Sequence, residues 1–241
     1  MANKLLVLGR SGTGKSYAIR NLDPTTTFII SPDKKALPLK GWRNNYKTTY
    51  KTDGKVDLAN TNFYRTNDPR TILQLITAIS NTRLDITTIV IDTLTLMLVD
   101  QFMKTAKDVG YEKFTDMALD AYRILNIIDD LREDLTVIVI GHIEDNYDSD
   151  GVLKSSFRVP AGKILKEKLT PEELFTTVLY TEVVMVDGAP QYSFLTQNNG
   201  KNTCKSPHGM FSESKISNDY KYVIEKIQAY ESVEDTHSTN E

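Results

Sequence analysis

The sequence predicts an α/β fold: a mostly parallel central sheet flanked by helices, with an antiparallel hairpin in its C-terminal part. Three observations carry this expectation. Lys4-Leu5-Leu6-Val7-Leu8 is a short apolar strand that passes through a glycine-rich turn into a helix opening on Lys15 and Ser16. Thr87 to Asp92 and Leu135 to Ile140 are apolar runs too continuous for strands with one solvated face, and helical stretches separate them. Val178 to Val186 and Gln191 to Thr196 flank Asp187-Gly188, a strong hairpin signal.

The 241 residues, 40% hydrophobic and 25% charged, suffice for one large domain with a sizeable core and would cramp a second. Residues 1–230 are therefore expected to form a single domain. The polar stretch 231–241 reads as a disordered tail. A net charge of −3 excludes a globally basic nucleic-acid coat, so any DNA contact must come from a local patch or loop. The single cysteine, Cys204, excludes an internal disulfide framework and fits a reducing cytoplasm. No apolar run approaches the roughly 20 residues that span a bilayer, so no membrane partner is expected.

The first strand and turn carry chemistry. In Gly9-x4-Gly14-Lys15-Ser16 the glycines let consecutive backbone N–H groups point at a phosphate, and the following helix N-terminus adds partial positive charge. Residues Gly9, Arg10, Ser11, Gly12, Thr13, Gly14, Lys15, Ser16 and Tyr17 are thus expected to bind ATP. Lys15 would reach the β- and γ-phosphates, and the Ser16 hydroxyl would ligate Mg²⁺.

Thr25 to Ile30 is a second strand, ended by Ser31-Pro32-Asp33 because proline cannot donate to a central ladder. Lys34 to Lys55 holds seven cations with Trp42, Tyr46 and Tyr50 interleaved, and reads as a surface loop or small hairpin. It is either a solvated face or an extension of a DNA-contacting surface. Asn62 to Arg65 is a short strand. Asp68-Pro69 opens a helix to about Asn81, with Asp68 as N-cap and Ile72, Leu73, Leu75, Ile76 and Ile79 on its apolar face.

The strand ending at Asp92 supplies what a magnesium-nucleotide site requires, a carboxylate at the carboxyl edge of the sheet beside the phosphates. Helices follow around 94–108 and 112–133, the second with Met117, Ala121, Ile124, Leu125, Ile128 and Leu131 at helical spacing. The strand Leu135 to Ile140 runs into Gly141-His142, so His142 stands on the same edge and can report on the γ-phosphate or attacking water. Glu144 to Ser156 has loop composition, and 161 to about 175 reads as a helix broken at Pro171. No glutamate follows Asp92. Asp33, after the second strand, is the candidate water-activating base, with Glu144 in reserve. A last helix is expected near 219–230.

These three segments, Gly9 to Ser16, Ile89-Val90-Ile91-Asp92-Thr93-Leu94-Thr95 and Ile138-Val139-Ile140-Gly141-His142, together resemble a RecA-like ATPase. The likeness is to the compact phage ATPases of the Sak type, which act in single-strand annealing and recombination. It implies a RecA-like P-loop NTPase fold and an ATPase. It also implies a γ-phosphate sensor at His142 and a homo-oligomer with ATP near the subunit interface. The segment after the sensor would be the DNA-binding loop, in which Lys154, Phe157 and Arg158 suit phosphate contact and base stacking. A plain surface loop is the competing reading, since Asp145, Asp148 and Asp150 oppose DNA. Gln197 to Pro207 resembles the stretch in which the family places lysines that reach the next subunit's ATP, which points to Lys201 and Lys205. Single-stranded DNA and recombination or replication proteins are the implied partners.

Two departures stand out. Asp33 replaces the glutamate usual after the second strand, and the P-loop starts too early for the N-terminal oligomerisation segment of larger recombinases. An ATP-gated binding module with negligible turnover therefore stands beside the ATPase, as does a small-molecule kinase, although the arginine-rich lid of such kinases is not apparent. A GTPase is disfavoured because no Asn-Lys-x-Asp motif occurs.

Overall fold

A computed structural model describes residues 1–160 and 170–232. Six strands run parallel: β3 (Phe63–Arg65), β2 (Thr27–Ser31), β4 (Thr88–Ile91), β5 (Thr136–Tyr147), β1 (Asn3–Gly9) and β7 (Thr177–Val186), in that spatial order. β8 (Ala189–Leu195) and β9 (Lys215–Ser217) extend the sheet antiparallel beyond β7. The expected hairpin is present, with Asp187 and Gly188 at φ of 50° and 78° in its turn. β9 was not foreseen in the sequence.

β1, β2, β4 and the first half of β5 are buried on both sides because helices cover both faces. Along β1, Leu6 and Leu8 join a cluster with Ile72, Ile76 and Ile79 of α2 (Pro69–Thr82), Met97 and Leu98 of α3 (Leu94–Lys104), and Ala121 and Ile124 of α4 (Glu112–Asn126). Leu5 and Val7 point the other way, toward Ala18 and Ile19 and toward Val223 and Ile227 of α5 (Tyr220–Glu231). The Asp68 carboxylate accepts from the Thr71 N–H at 2.9 Å, so the predicted N-cap of α2 is formed.

Several segments differ from expectation. The segment after the P-loop is a 3-10 helix, Ser16–Asn21, rather than an α-helix. α4 gives way at Ile127 to a 3-10 turn, Ile127–Asp130, which buries Ile128. The basic stretch holds a single helical turn, α1 (Trp42–Asn45), and a bridge between Tyr50 and Val56; Tyr46 is buried and Trp42 packs on Phe63 with ring centres 5.2 Å apart.

The larger correction concerns Glu144 to Ser156, which is a β-hairpin rather than an irregular loop. β5 continues without a break past His142 to Tyr147 and pairs with β6 (Leu153–Phe157), with Ile143 opposite Phe157 and Tyr147 opposite Leu153. Most of the helix expected from residue 161 lies outside the described residues, and within them Pro171–Leu174 forms one 3-10 turn. Of the expected tail, Glu231 belongs to α5 and 233–241 lie outside the described residues.

Candidate functional site

The sheet order decides where the site forms. β5 lies beside β1 in parallel register, with Gly9 opposite His142, and β4 lies beside β5. The carboxyl ends of three strands therefore deliver the P-loop, His142 and Asp92 to one edge, where a ligand cleft of an open α/β sheet belongs. A cleft of about 450 Å³ opens there, within the range of small-molecule sites. It is lined by Ser11, Gly12, Gly14, Lys15, Ser16 and Tyr17 of the P-loop segment, by Asp92, Thr93 and His142, and by Ser31, Asp33, Lys35 and Leu37 at and after the end of β2.

The loop's geometry follows from its glycines. Gly12 and Gly14 adopt φ of 80° and 93°, in the left-handed region that side chains disfavour. Gly9 is required by contact instead, because a Cβ there would stand 1.9 Å from the Thr181 Oγ1 on β7. Not every P-loop residue faces the cleft. The Arg10 guanidinium turns to Asp145 on β5, 2.6 Å away, and the Thr13 hydroxyl donates to the Arg10 carbonyl and meets the Thr181 hydroxyl. The Arg10 and Thr13 side chains hold the loop's shape, and what Gly9, Arg10 and Thr13 have left for a phosphate is their backbone.

Lys15 is 6% exposed and donates to the Gly9 and Arg10 carbonyls at 2.7 and 2.6 Å. Burial lowers its pKa to about 8, against the opposing pull of the Asp92 charge. Asp92 is 7% exposed, immediately beyond β4. Burial raises its pKa to about 6, while the nearby Ser16 hydroxyl and the charge of Lys15 hold it down. The two halves of the expected metal site thus meet in the cleft. One hydroxyl and one carboxylate suit Mg²⁺, which keeps several waters and takes its remaining ligands from phosphates. Among the described residues no cluster of three or more His, Cys, Asp or Glu forms a different metal cage.

His142 is half-buried, and its backbone N–H donates to the Thr95 hydroxyl at 2.9 Å. Burial first, then the charges of Lys15, Arg158 and Lys35, push its pKa down to about 4, so the imidazole is neutral at pH 7. Asp33 also lines the cleft, but its carboxylate is engaged: Oδ1 accepts the Lys35 N–H at 3.1 Å and Oδ2 lies 3.6 Å from the Lys35 ammonium. Glu144 sits on the hairpin opposite Ser156, outside the cleft lining.

The family comparison bears on this arrangement. Residues 1–208 match the model of the AAA domain family AAA_24. The chain belongs to that family. Among solved structures, a KaiC-like protein from the hyperthermophilic archaeon Pyrococcus horikoshii OT3 matches with a TM-score of 0.50 at 11% identity, over 88% of this chain and 83% of that one. At that identity the likeness concerns the fold, which is RecA-like. No curated protein matches the chain. This AAA-family member thus carries a P-loop, an acidic strand end and a neutral histidine on one cleft.

The remaining predicted residues lie elsewhere. Phe157 is a correction: at 3% exposure it is a core residue, its ring packed over Gly141 and its N–H donating to the Glu172 carboxylate at 2.7 Å, so it offers no face for base stacking. Lys154 and Arg158 are exposed; the Lys154 ammonium donates to the Gly200 carbonyl at 2.5 Å and lies 3.7 Å from Asp148. Lys201 and Lys205 lie outside the cleft lining, in a segment where Lys205 bridges Val178 of β7.

Three contributors escaped the sequence reading. Tyr192 of β8 stands over Gly14 and 5.9 Å from the Tyr17 ring, Thr95 supports His142, and Lys35 belongs to the cleft. Only Lys35 had a sequence signal, its place two residues after Asp33. Among the described residues no helix is long and apolar enough to cross a membrane.

Proposed function

We propose that this chain is a magnesium-dependent ATPase of slow turnover that acts on single-stranded DNA in phage-type recombination, annealing or replication. The observation that carries the nucleotide reading is the meeting of Lys15, Ser16, Asp92 and His142 in one cleft at the carboxyl edge of the sheet. When bound there, Mg²⁺ would neutralise phosphate charge and orient the terminal phosphate. The loop's backbone N–H groups would grip the β-phosphate, and Lys15 would exchange its two carbonyl partners for phosphate oxygens. His142, neutral and able to donate, would sense the terminal phosphate from the end of β5.

The DNA reading rests on the hairpin that grows directly from His142. Arg10 of the P-loop is paired with Asp145 on that hairpin, so loop and hairpin are tied by a contact that nucleotide binding would strain. Lys154 and Arg158 are the hairpin cations for phosphate contact. Slow turnover accords with Asp33, which stands where a longer glutamate is usual and whose Oδ1 is taken up by the Lys35 backbone N–H. That same engagement favours the second reading, an ATP-gated binding module. The resemblance supports association of copies with Lys201 and Lys205 reaching a neighbour's ATP, and a cytoplasmic setting beside recombination or replication proteins.

The test is steady-state ATP turnover with and without single-stranded DNA, alongside MgATP binding by wild type and Lys15→Ala. Turnover stimulated by DNA supports the ATPase. Background turnover with ATP-dependent DNA binding selects the gated module. Unchanged MgATP binding by Lys15→Ala refutes the nucleotide site. Sizing the chain with and without ATP and DNA reads the oligomer.

A further inference from the structure

Lys35 is placed by its surroundings with unusual care for an exposed lysine. Its N–H is held by the Asp33 carboxylate, its carbonyl accepts from the Arg65 guanidinium at 3.1 Å, and two residues on Leu37 is buried in the core. The backbone is pinned on both sides. The side chain is not: it is 80% exposed in the lining of the cleft that Lys15 also lines, and its charge is felt by both Asp92 and His142. Its ammonium lies 3.6 Å from the Asp33 carboxylate, longer than the roughly 2.7–2.9 Å of a charge-assisted hydrogen bond. A loose, solvent-screened pair is easily exchanged for a stronger anion.

We propose that Lys35 is the cleft's second phosphate cation: on triphosphate binding its ammonium leaves Asp33 for the terminal phosphate, so that the site prefers a nucleoside triphosphate to a diphosphate. The inference rests on the nucleotide reading above and names its discriminating residue. The geometry separates the two lysines by role. Lys15, buried at the loop, serves any nucleotide with a β-phosphate. Lys35 enters the cleft from the loop after β2, and its charge acts on Asp92 and His142, the residues assigned to the metal and the terminal phosphate. Asp33 then acts as a parking place for the ammonium, and its position two residues before Lys35 is what makes the hand-over possible without backbone movement.

The test is calorimetric binding of MgATP and MgADP to wild type, Lys35→Met, Lys35→Arg and Asp33→Asn, with thermal unfolding to confirm intact folds. Lys35→Met is expected to weaken MgATP about tenfold or more, the loss of one hydrogen bond to a charged group, and to change MgADP less than about twofold. Lys35→Arg should retain most of the preference. Asp33→Asn, which frees the ammonium, should tighten MgATP and leave MgADP as it was. Equal losses for the two nucleotides, or no loss for either, overturn the proposal, as does a defect confined to single-stranded DNA binding. Wild type that binds neither nucleotide overturns the parent reading and this one with it; wild type that binds both without preference overturns this one alone.

Discussion

Gly141→Ala probes the packing that sets His142 in place. An alanine Cβ at 141 would stand 2.3 and 2.7 Å from two ring carbons of Phe157 and 2.8 Å from the Leu8 Cδ2, where ordinary contact begins near 3.4 Å. The ring would have to retreat by about 1 Å in a close-packed interior. It has little room, because β6 is registered to β5 at Ile143 and Phe157 and the Phe157 N–H is fixed on Glu172. The cost belongs at the upper end for overpacking, about 3 kcal/mol. Phe157→Leu alone should cost about 1.5 kcal/mol for lost apolar contact. Together the changes compensate, and the double variant should lose about 2 kcal/mol rather than the roughly 4.5 kcal/mol of strict addition. Urea unfolding followed by far-ultraviolet circular dichroism, with midpoints compared at a common slope, measures all three. Additivity within about 0.5 kcal/mol would refute the reasoning and return Phe157 to the surface as a residue free to stack on bases.

Asp92→Asn should stabilise the nucleotide-free chain while removing magnesium-dependent ATP binding. The folded carboxyl titrates near 6 against an ordinary 3.8, so wild type loses stability as pH rises from about 4 through 6, and the difference between variant and wild type should grow from near zero at pH 4 to about 3 kcal/mol at pH 7.5 in EDTA; a pH-independent difference sinks the assignment. His142 works in the opposite sense: its folded pKa of about 4 lies below the ordinary 6.5, so its contribution is complete above pH 6.5 and is lost as pH falls toward 4. Nuclear magnetic resonance should find the His142 ring neutral at pH 5.5, and His142→Asn should flatten the acid limb of the stability curve. Gly14→Ala, with φ of 93° and a Cβ 2.8 Å from the Tyr192 ring, should cost about 1–2 kcal/mol for the left-handed backbone and weaken MgATP, and adding Tyr192→Ala should recover only the steric part.

The parts of the fold that were legible in the sequence are those in which one strand's own residues decide its fate. β1, β4 and the first half of β5 are apolar on both faces, and only a strand covered on both sides tolerates that. Lys15, Asp92 and His142 could be placed on one edge because each follows the end of such a strand. The hairpin after His142 was hidden because solvent wets both its faces, so Glu144 to Ser156 shows no alternation of period two to separate it from a loop. Phe157 misled for a related reason: an aromatic among polar neighbours looks exposed, whereas it is the one member of its strand that caps Gly141. β9 is three residues long with a single buried side chain, Ile216, and carries too little pattern to notice. The placement of Tyr192 arises from β8 folding back along β7, a contact between residues far apart in sequence, and no local signal encodes it.

β5 crosses from the interior of the sheet into the hairpin as one unbroken strand, with His142 at the crossing. An uninterrupted strand carries a rotation at one point along its length. From His142 to Tyr147 it extends about 17 Å at roughly 3.4 Å per residue, so a tilt of about 10° at the histidine sweeps the far end through about 3 Å, close to one residue step along the strand. The cleft thus holds the short arm of a lever whose long arm ends at Tyr147, which is 75% exposed.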